Sequence, residues 1–391
     1  IRDSIITNRD VASPFLVEVQ ESAVKPIEPV FLDYQKDMSQ LKAKSDIPVL
    51  YKQNVANDLF QLIYVFDMGN NHDKALGTAF DYLEYLGTSD MTPEELKSEF
   101  YRLACTFYVS PGNERTYVVL SGLNENMPAA VQLFEKLLAD AQVNKEAYTN
   151  MTSDILKARS DAKLNQGQNF SRLMSFAMYG PKSPATNLLT EAELTNMNPQ
   201  ELVDRIHNQN SYKHRILYYG PSSSKDLLAT INQYHQVPAT LKDIPAGNEY
   251  AYLETPVTKV LVAPYDAKQI YMAQISNLDK KYDPAIEPIR ALYDEYFGGG
   301  MNSIVFQEMR ETRGLAYSAW ASIMPPSYLK YPYVLRTQIA TQNDKMIDAV
   351  TTFNDIINNM PESEAAFKLA KDGLTNLSLI HISEPTRPEP I

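Results

Sequence analysis

Hydrophobic residues recur at two spacings along this chain, and the two spacings predict alternating strands and helices. Residues 60–68 form an almost continuous apolar run with β-branched side chains, which is typical of a strand covered on both faces. A helix is then predicted over residues 74–86 and ends at Gly87, because apolar side chains recur at helical spacing at Leu76, Phe80, Leu83 and Leu86.

The same alternation continues to about residue 234. Thr92, Pro93 and Glu95 form a capping-box pattern that predicts the start of a second helix. Residues 106–110 and 115–121 flank a Pro-Gly turn and predict a hairpin. Five further elements follow in the pattern: helices over 127–141, 145–164 and 199–207, a strand over 214–219 and a helix over 224–234.

The most informative stretch is residues 297–318, where three unlike elements follow one another. Gly298, Gly299 and Gly300 end a helix, because glycine reaches left-handed backbone angles without steric cost. A new helix starts near Asn302 or Ser303; its predicted buried side is Ile304, Val305, Met309 and Thr312. Gly314 ends this helix. From Leu315 the period changes to two, which predicts a strand with Tyr317, Ala319 and Ala321 on one face.

The order of elements after residue 256 repeats the order of the first half. A strand over 270–277, a helix over 284–297, a glycine step, a helix, two strands and two helices follow one another. Gly87 and Gly298 are equivalent in this repeat and are separated by 211 residues. The sequence therefore predicts an α+β fold with two tandem homologous domains. In each domain, helices pack on one face of a mainly antiparallel sheet.

We divide the chain into four segments. Residues 1–46 have no sustained period and predict a linker with one short strand near 30–32; residues 47–245 and 246–376 are the two domains. Residues 377–391 resemble the translation of a sequencing-library adapter and are excluded from fold reasoning. We expect that the true amino terminus is missing, so the absence of a signal peptide leaves a periplasmic or secreted location open.

Composition excludes several classes of function. The chain has 391 residues, 44% of them hydrophobic, and a formal net charge of -12. An acidic chain without basic clusters does not predict nucleic-acid binding, and no apolar run is long enough for a membrane span. The single cysteine, Cys105, lies in an apolar run and is predicted to be a buried structural thiol. Of the five histidines, His381 lies in the excluded segment, and the four at positions 72, 207, 214 and 235 contain no pair at ligand spacing. Each of these four is predicted to be a surface or capping residue.

The stretch from Phe297 to Tyr317 resembles the carboxyl-terminal half of the pitrilysin, or insulinase, family of zinc metallopeptidases. In that family a glycine-rich turn precedes an arginine-containing helix and then Gly-Leu-Ala-Tyr, which Gly314 to Tyr317 match. By this resemblance Arg310 and Tyr317 are the candidate catalytic residues, which reach the zinc site of the other half and hold the scissile carbonyl as it becomes an oxyanion. A permanently charged guanidinium and a phenol are chemically suited to that role.

The family's zinc motif is absent at the equivalent position of the first domain. By the resemblance, His-x-x-Glu-His should lie on the helix before a Gly-Thr step, and this chain has that step at Gly87. Thr78 and Tyr82 occupy the two histidine positions and Asp81 the glutamate position. We therefore predict no metal and no cofactor in this chain, and expect zinc in a missing half.

Two functions remain open. The first is the non-catalytic, substrate-binding and active-site-completing half of a zinc metalloendopeptidase, inactive alone. Its partners would be a peptide and the zinc-bearing half, either in the same chain or as a separate subunit. The second is a peptidase-like binding or scaffolding protein without hydrolytic activity. The positions of Arg310 and Tyr317 favour the first. The substrate, the cleavage preference and the oligomeric state do not follow from the sequence.

The repeat also predicts that the second domain is incomplete. At an offset of 211 residues, Asn376 corresponds to Asn165, whereas the first domain continues to His235. The counterparts of the strand over 214–219 and the helix over 224–234 should therefore be absent. A missing strand leaves backbone groups of its neighbour unpaired.

Overall fold

A computed structural model describes residues 13–22 and 33–383, and the side chains as far as residue 376 except those of Leu16 and Gln20. The first part of the chain contains six strands, which are β1 (Ser39–Lys42), β2 (Pro48–Gln53), β3 (Leu59–Phe66), β4 (Cys105–Pro111), β5 (Thr116–Leu123) and β6 (His214–Gly220). The described residues of this part also form nine α-helices, which are α1 (Pro14–Glu21), α2 (Leu76–Leu83), α3 (Pro93–Arg102), α4 (Met127–Asp140), α5 (Lys145–Ala162), α6 (Gln166–Tyr179), α7 (Glu191–Asn196), α8 (Gln200–Asn208) and α9 (Ser224–Tyr234).

The six strands form one sheet in the order β1-β2-β6-β3-β5-β4. All neighbours are antiparallel except β2 and β6, which are parallel. Helices cover one face of this sheet and close a core that contains Leu62, Tyr64, Leu120 and Phe134, each fully or almost fully buried. The predicted capping box is present at the start of α3, where Thr92 and Glu95 bond each other's backbone N–H groups.

The second part contains a smaller sheet. Its strands are β7 (Gln269–Lys281), β8 (Ser318–Met324) and β9 (Pro332–Gln342), in the order β7-β9-β8 with antiparallel neighbours. The helices are α10 (Glu287–Asp294), α11 (Ile304–Phe306), α12 (Met346–Asn358) and α13 (Glu364–Ser383). Two of them continue as π-helical turns, α10 over Glu295–Gly299 and α11 over Gln307–Thr312. Val305, Met309 and Phe353 lie at the centre of this second core.

The two sheets repeat one topology. The order β7-β9-β8 matches β3-β5-β4, and α10 starts and ends 211 residues after α2 (76 to 287 and 83 to 294). The α+β class and the mainly antiparallel sheets are as predicted. The copies differ on one side: β3 lies between β5 and β6, whereas its counterpart β7 pairs only with β9 among the described residues.

Two predictions for the amino-terminal half need correction. Strand β1 lies inside the segment 1–46 that was predicted as a linker, and it pairs with β2. Its four residues extend the edge of the first sheet, an arrangement that no local periodicity could show. Strand β3 alternates between exposed and buried residues in its first half and is buried throughout only from Tyr64 to Phe66. The strand predicted at 30–32 lies outside the described residues, and the remaining domain boundaries stay predictions.

Two further findings concern classes of function. Cys105 is 2% exposed and burial raises the pKa of its thiol, which agrees with the predicted structural role. In the described ranges, 13–22 and 33–383, no helix is both long and apolar enough to cross a membrane.

Candidate functional site

The turn before the candidate site depends on close packing of a glycine against a strand. A Cβ added to Gly298 would lie 2.2 Å from the carbonyl oxygen of Ala321 on β8, a contact that no side chain can make. Glycine at this position therefore lets the end of α10 rest directly on the strand backbone. This contact fixes where the chain turns towards the helix that carries Arg310.

The arginine-bearing helix is held on one side by the second core. Ser303 caps it and accepts a hydrogen bond from the N–H of Phe306, while Val305 and Met309 are fully buried. The predicted start near Ser303 is thus confirmed, but Thr312 is exposed rather than buried. The reason is the π-helical turn over Gln307–Thr312, which rotates later residues away from the positions that a regular α-helix would give them.

The helix ends in a left-handed turn that directs the chain into β8. Gly314 has φ of 57°, and the N–H groups of Leu315 and Ala316 both donate to the carbonyl of Met309. Tyr317 then donates its N–H to the carbonyl of Ala340 at 2.8 Å. Both ends of the turn are therefore bonded to the second core, and the backbone of Tyr317 is fixed although its side chain is not buried.

This geometry brings the two predicted residues together. The guanidinium carbon of Arg310 lies 5.4 Å from the ring centre of Tyr317 and 5.0 Å from that of Phe306, within cation–π range. The side chain of Arg310 is 44% exposed and Tyr317 is 69% exposed. Glu311 lies 3.7 Å from Nε of Arg310, too far for a strong charge-assisted hydrogen bond. The pair therefore presents N–H and O–H donors side by side at the surface.

Tyr82, one of the positions equivalent to the family's zinc motif, has a structural role in this chain. Tyr82 is buried, and its hydroxyl donates to the carbonyl of Asn144 at 2.6 Å and accepts from the same residue's N–H at 2.9 Å. This contact ties α2 to the start of α5. A shallow cavity of about 260 Å³ beside it contains the carboxylates of Glu146 and Asp154 but no histidine. Within the parts of the chain that the structure describes, no group of three or more His, Cys, Asp and Glu could hold a metal ion.

Two histidines are placed differently from the prediction. His214 is 7% exposed on β6, and His235, the residue after α9, is completely buried. His235 contacts Glu135 of α4 through Nδ1 at 2.6 Å. Glu135 in turn accepts from the side chain of Asn210 and from the N–H of Gln236. The prediction of a surface position is thus wrong for both histidines, whereas the alternative prediction of a capping residue holds for His235, which caps the end of α9. Sequence spacing does not report contacts between distant elements.

The chain was compared with known protein families and curated proteins. Residues 216–374 match the family model described as the peptidase M16 inactive domain. A protein of Rickettsia felis described as an uncharacterized zinc protease is 20% identical over 263 residues. That match covers 64% of this chain and 60% of the relative, so the chain spans less than two thirds of the relative's length.

Two solved structures show the same fold. A peptidase M16 inactive domain from Pseudomonas fluorescens has a TM-score of 0.67 and 17% identity, over 88% of this chain and 84% of that one. The periplasmic protease PqqL from Escherichia coli has a TM-score of 0.74 and 14% identity, over 90% of this chain and 39% of that one. These comparisons confirm the resemblance that the stretch around Arg310 and Tyr317 indicated.

Proposed function

Because residues 216–374 match the inactive-domain model of the M16 peptidases, we propose that this chain is the half of a zinc metalloendopeptidase that completes the active site. In this proposal it binds peptide substrate, while a second, zinc-bearing half supplies the metal and the water-activating base. The proposal combines the family match with one structural observation, the contact between Arg310 and Tyr317.

That contact supports a role in stabilising an oxyanion. The planar guanidinium of Arg310 lies within cation–π distance of the rings of Phe306 and Tyr317, and these contacts limit its rotation. A guanidinium offers its N–H groups in a rigid fork, and the phenol of Tyr317 adds an O–H donor. Donors that are already oriented stabilise developing negative charge without reorganisation at the moment of reaction. The buried anchors Val305 and Met309 hold the arginine helix in place.

The proposal that zinc binds only in the other half also explains the hydrogen bonds that Tyr82 of α2 makes with Asn144. A zinc ligand must keep its donor atoms free for the metal, whereas the hydroxyl of Tyr82 is already used twice by Asn144. The position that would bind metal in an active half therefore stabilises the contact of α2 with α5 in this one. When bound in the other half, zinc would polarise the scissile carbonyl, and Arg310 and Tyr317 would contact the same carbonyl oxygen.

The decisive experiment measures peptide hydrolysis with and without this chain. The zinc-bearing half is produced alone, then with this chain in the same polypeptide or added as a separate subunit. We expect hydrolysis of a fluorogenic peptide only when both halves are present, and its loss with Arg310→Ala. Control variant Arg102→Ala, on the exposed face of α3 and paired with Glu99, should leave the rate unchanged.

A scaffolding protein without hydrolytic activity is the alternative, and Tyr82 is the observation that favours it. If the zinc-motif positions of both halves are replaced by structural residues, no hydrolysis can occur. In that case the complete protein should bind peptides without cleaving them, and no hydrolysis should be detected with or without Arg310→Ala. That result would replace the peptidase proposal.

A further inference from the structure

Arg336 of β9 carries a charge that nothing in the described structure neutralises. Its side chain is half-buried, and its Nε is inaccessible to solvent and has no hydrogen-bond partner. Among the described residues, its one hydrogen bond runs from Nη2 to the amide oxygen of Gln338 at 3.3 Å. A buried donor without an acceptor costs free energy, and a cation without a counter-charge costs more.

This arginine differs from its neighbours in the second half of the chain. Arg290 contacts Glu287 at 2.9 Å and Asp294 at 2.7 Å. Arg310 lies 3.7 Å from Glu311, and Arg313 lies 3.3 Å from Glu308. Among the residues that the structure describes, no carboxylate forms an ion pair with Arg336. The chain has a formal charge of -12, so acidic groups outnumber basic ones, and yet none of the described acidic groups pairs with Arg336.

The guanidinium is nevertheless held in a defined orientation. Its central carbon lies 5.0 Å from the ring centre of Trp320 on β8, and the adjacent strands β8 and β9 fix both residues. Stacking on an indole leaves the edges of the guanidinium plane free to donate hydrogen bonds. Burial lowers the pKa of Arg336, and the nearby Tyr252 opposes this shift. The guanidinium is thus oriented and partly shielded from water, and no carboxylate of the described residues pairs with it.

We propose that Arg336 and Trp320 form a binding site for a carboxylate of the peptide substrate. A carboxylate supplies both the acceptor and the counter-charge that the site lacks, and its planar shape matches the fork of an arginine. The source is a glutamate or aspartate side chain or the carboxyl terminus of the peptide. This inference rests on the proposed peptide-binding function and assigns a preference for acidic peptides to it.

The chain offers a direct spectroscopic probe, because Trp320 is its single tryptophan. Three acetylated tripeptides are titrated into the full chain: Ala-Ala-Glu-amide, Ala-Ala-Gln-amide and Ala-Ala-Gln with a free carboxyl terminus. Tryptophan emission and calorimetry report binding. We expect both carboxylate peptides, or one of them, to bind at least about tenfold more tightly than the neutral amide. Which one binds distinguishes a side chain from a carboxyl terminus as the source.

Two variants and a control test the role of the arginine. Arg336→Gln should reduce the affinity for the preferred carboxylate peptide about tenfold or more, to the level of the neutral one. Arg336→Lys keeps the charge but loses the fork, so its affinity should lie between the two. Arg102→Gln removes an exposed arginine of α3 far along the chain and should bind like the unchanged protein.

Equal affinity for the acidic and the neutral peptides would overturn the proposal, as would the absence of binding at millimolar peptide. The comparison between peptides uses the unchanged chain and therefore holds even if Arg336→Gln fails to fold. The proposed active-site role is measured separately, by hydrolysis with the zinc-bearing half. Carboxylate binding without complementation would contradict that role, and complementation without carboxylate preference would contradict this site.

Discussion

The Nε2 atoms of His214 and His235 lie 2.8 Å apart in the core of the first domain, although 21 residues separate them in the chain. Nδ1 of His214 lies 2.7 Å from the carbonyl oxygen of Tyr212, which can only accept a hydrogen bond. His214 therefore donates from Nδ1 and, when neutral, accepts at Nε2. The proton between the two rings belongs to His235.

This arrangement predicts a loss of stability in acid. Burial and, to a smaller extent, the charge of His235 lower the pKa of His214 to about 4, although the bond to Tyr212 opposes the shift. In the unfolded chain the imidazole of His214 takes up a proton near pH 6.5. The folding stability that depends on a neutral His214 is therefore fully present above pH 6.5 and is lost as pH falls towards 4. It amounts to about 3 kcal/mol. Urea unfolding at several pH values should show this loss.

The matched variant for that measurement is His214→Gln, which keeps an acceptor near His235 but does not titrate. Between pH 7 and pH 4 the free energy of unfolding of this variant should change less than that of the unchanged chain. Parallel pH profiles of the two proteins would show that His214 is not responsible.

Removing the hydroxyl of Tyr317 should slow catalysis in the complete enzyme. Tyr317→Phe keeps the ring that packs against Arg310 but loses the only O–H donor of the pair. We expect turnover to fall about 10²-fold or more with little change in peptide binding, because an oxyanion donor acts mainly in the transition state. Arg310→Ala should lower turnover at least as much.

Both side chains are largely exposed, so neither change should alter the melting temperature by much. Steady-state kinetics and thermal melts of the complete protein test the two expectations together. Normal turnover in both variants would exclude the proposed role across the active site.

Zinc should not bind to this chain alone. Tyr82 is committed to Asn144, and Thr78 and Asp81 do not provide a pair of imidazoles. Elemental analysis of chelator-washed protein should therefore find far less than one zinc per chain after dialysis against micromolar zinc. Stoichiometric zinc that survives dialysis would contradict the prediction and locate a site that the described residues do not show.

Replacing Gly298 should destabilise the second domain. Its Cβ would meet the backbone of Ala321, which cannot rotate away as a flexible side chain would. Gly298→Ala should cost about 1–3 kcal/mol, measured by thermal or urea unfolding. Gly373→Ala in α13 is the control, because a Cβ there meets nothing within 4 Å. It should be neutral or stabilise by about 0.5–1 kcal/mol. Equal effects of the two changes would contradict the close contact.

The two sheets should differ in amide protection. Strand β3 has a neighbour on each side, whereas β7 has only β9 among the described residues. Unpaired edge groups and a smaller core favour local opening. Hydrogen exchange should therefore be faster over β7, β8 and β9 than over β3, β5 and β6. Equal and strong protection of β8, β9, β4 and β5 would show that the second sheet is closed on its own.

The sequence by itself determined the local elements and their order. Capping residues such as Thr92 and Ser303, and the turn at Gly314, act within a few residues, so their chemistry can be recognised without tertiary contacts. The 211-residue repeat follows from the same local patterns and correctly indicated that two similar sheets occur. The motif from Gly298 to Tyr317 also predicted the candidate site before its geometry was known.

Only the tertiary structure decided which distant residues meet. Different elements meet where His214 contacts His235, where β1 pairs with β2, and where Arg336 stacks on Trp320. The exposed position of Thr312 depends on a π-helical turn that the apolar spacing did not indicate. Periodicity reports which face of an element is buried, but burial does not specify the partner. That choice is made by packing of the whole chain.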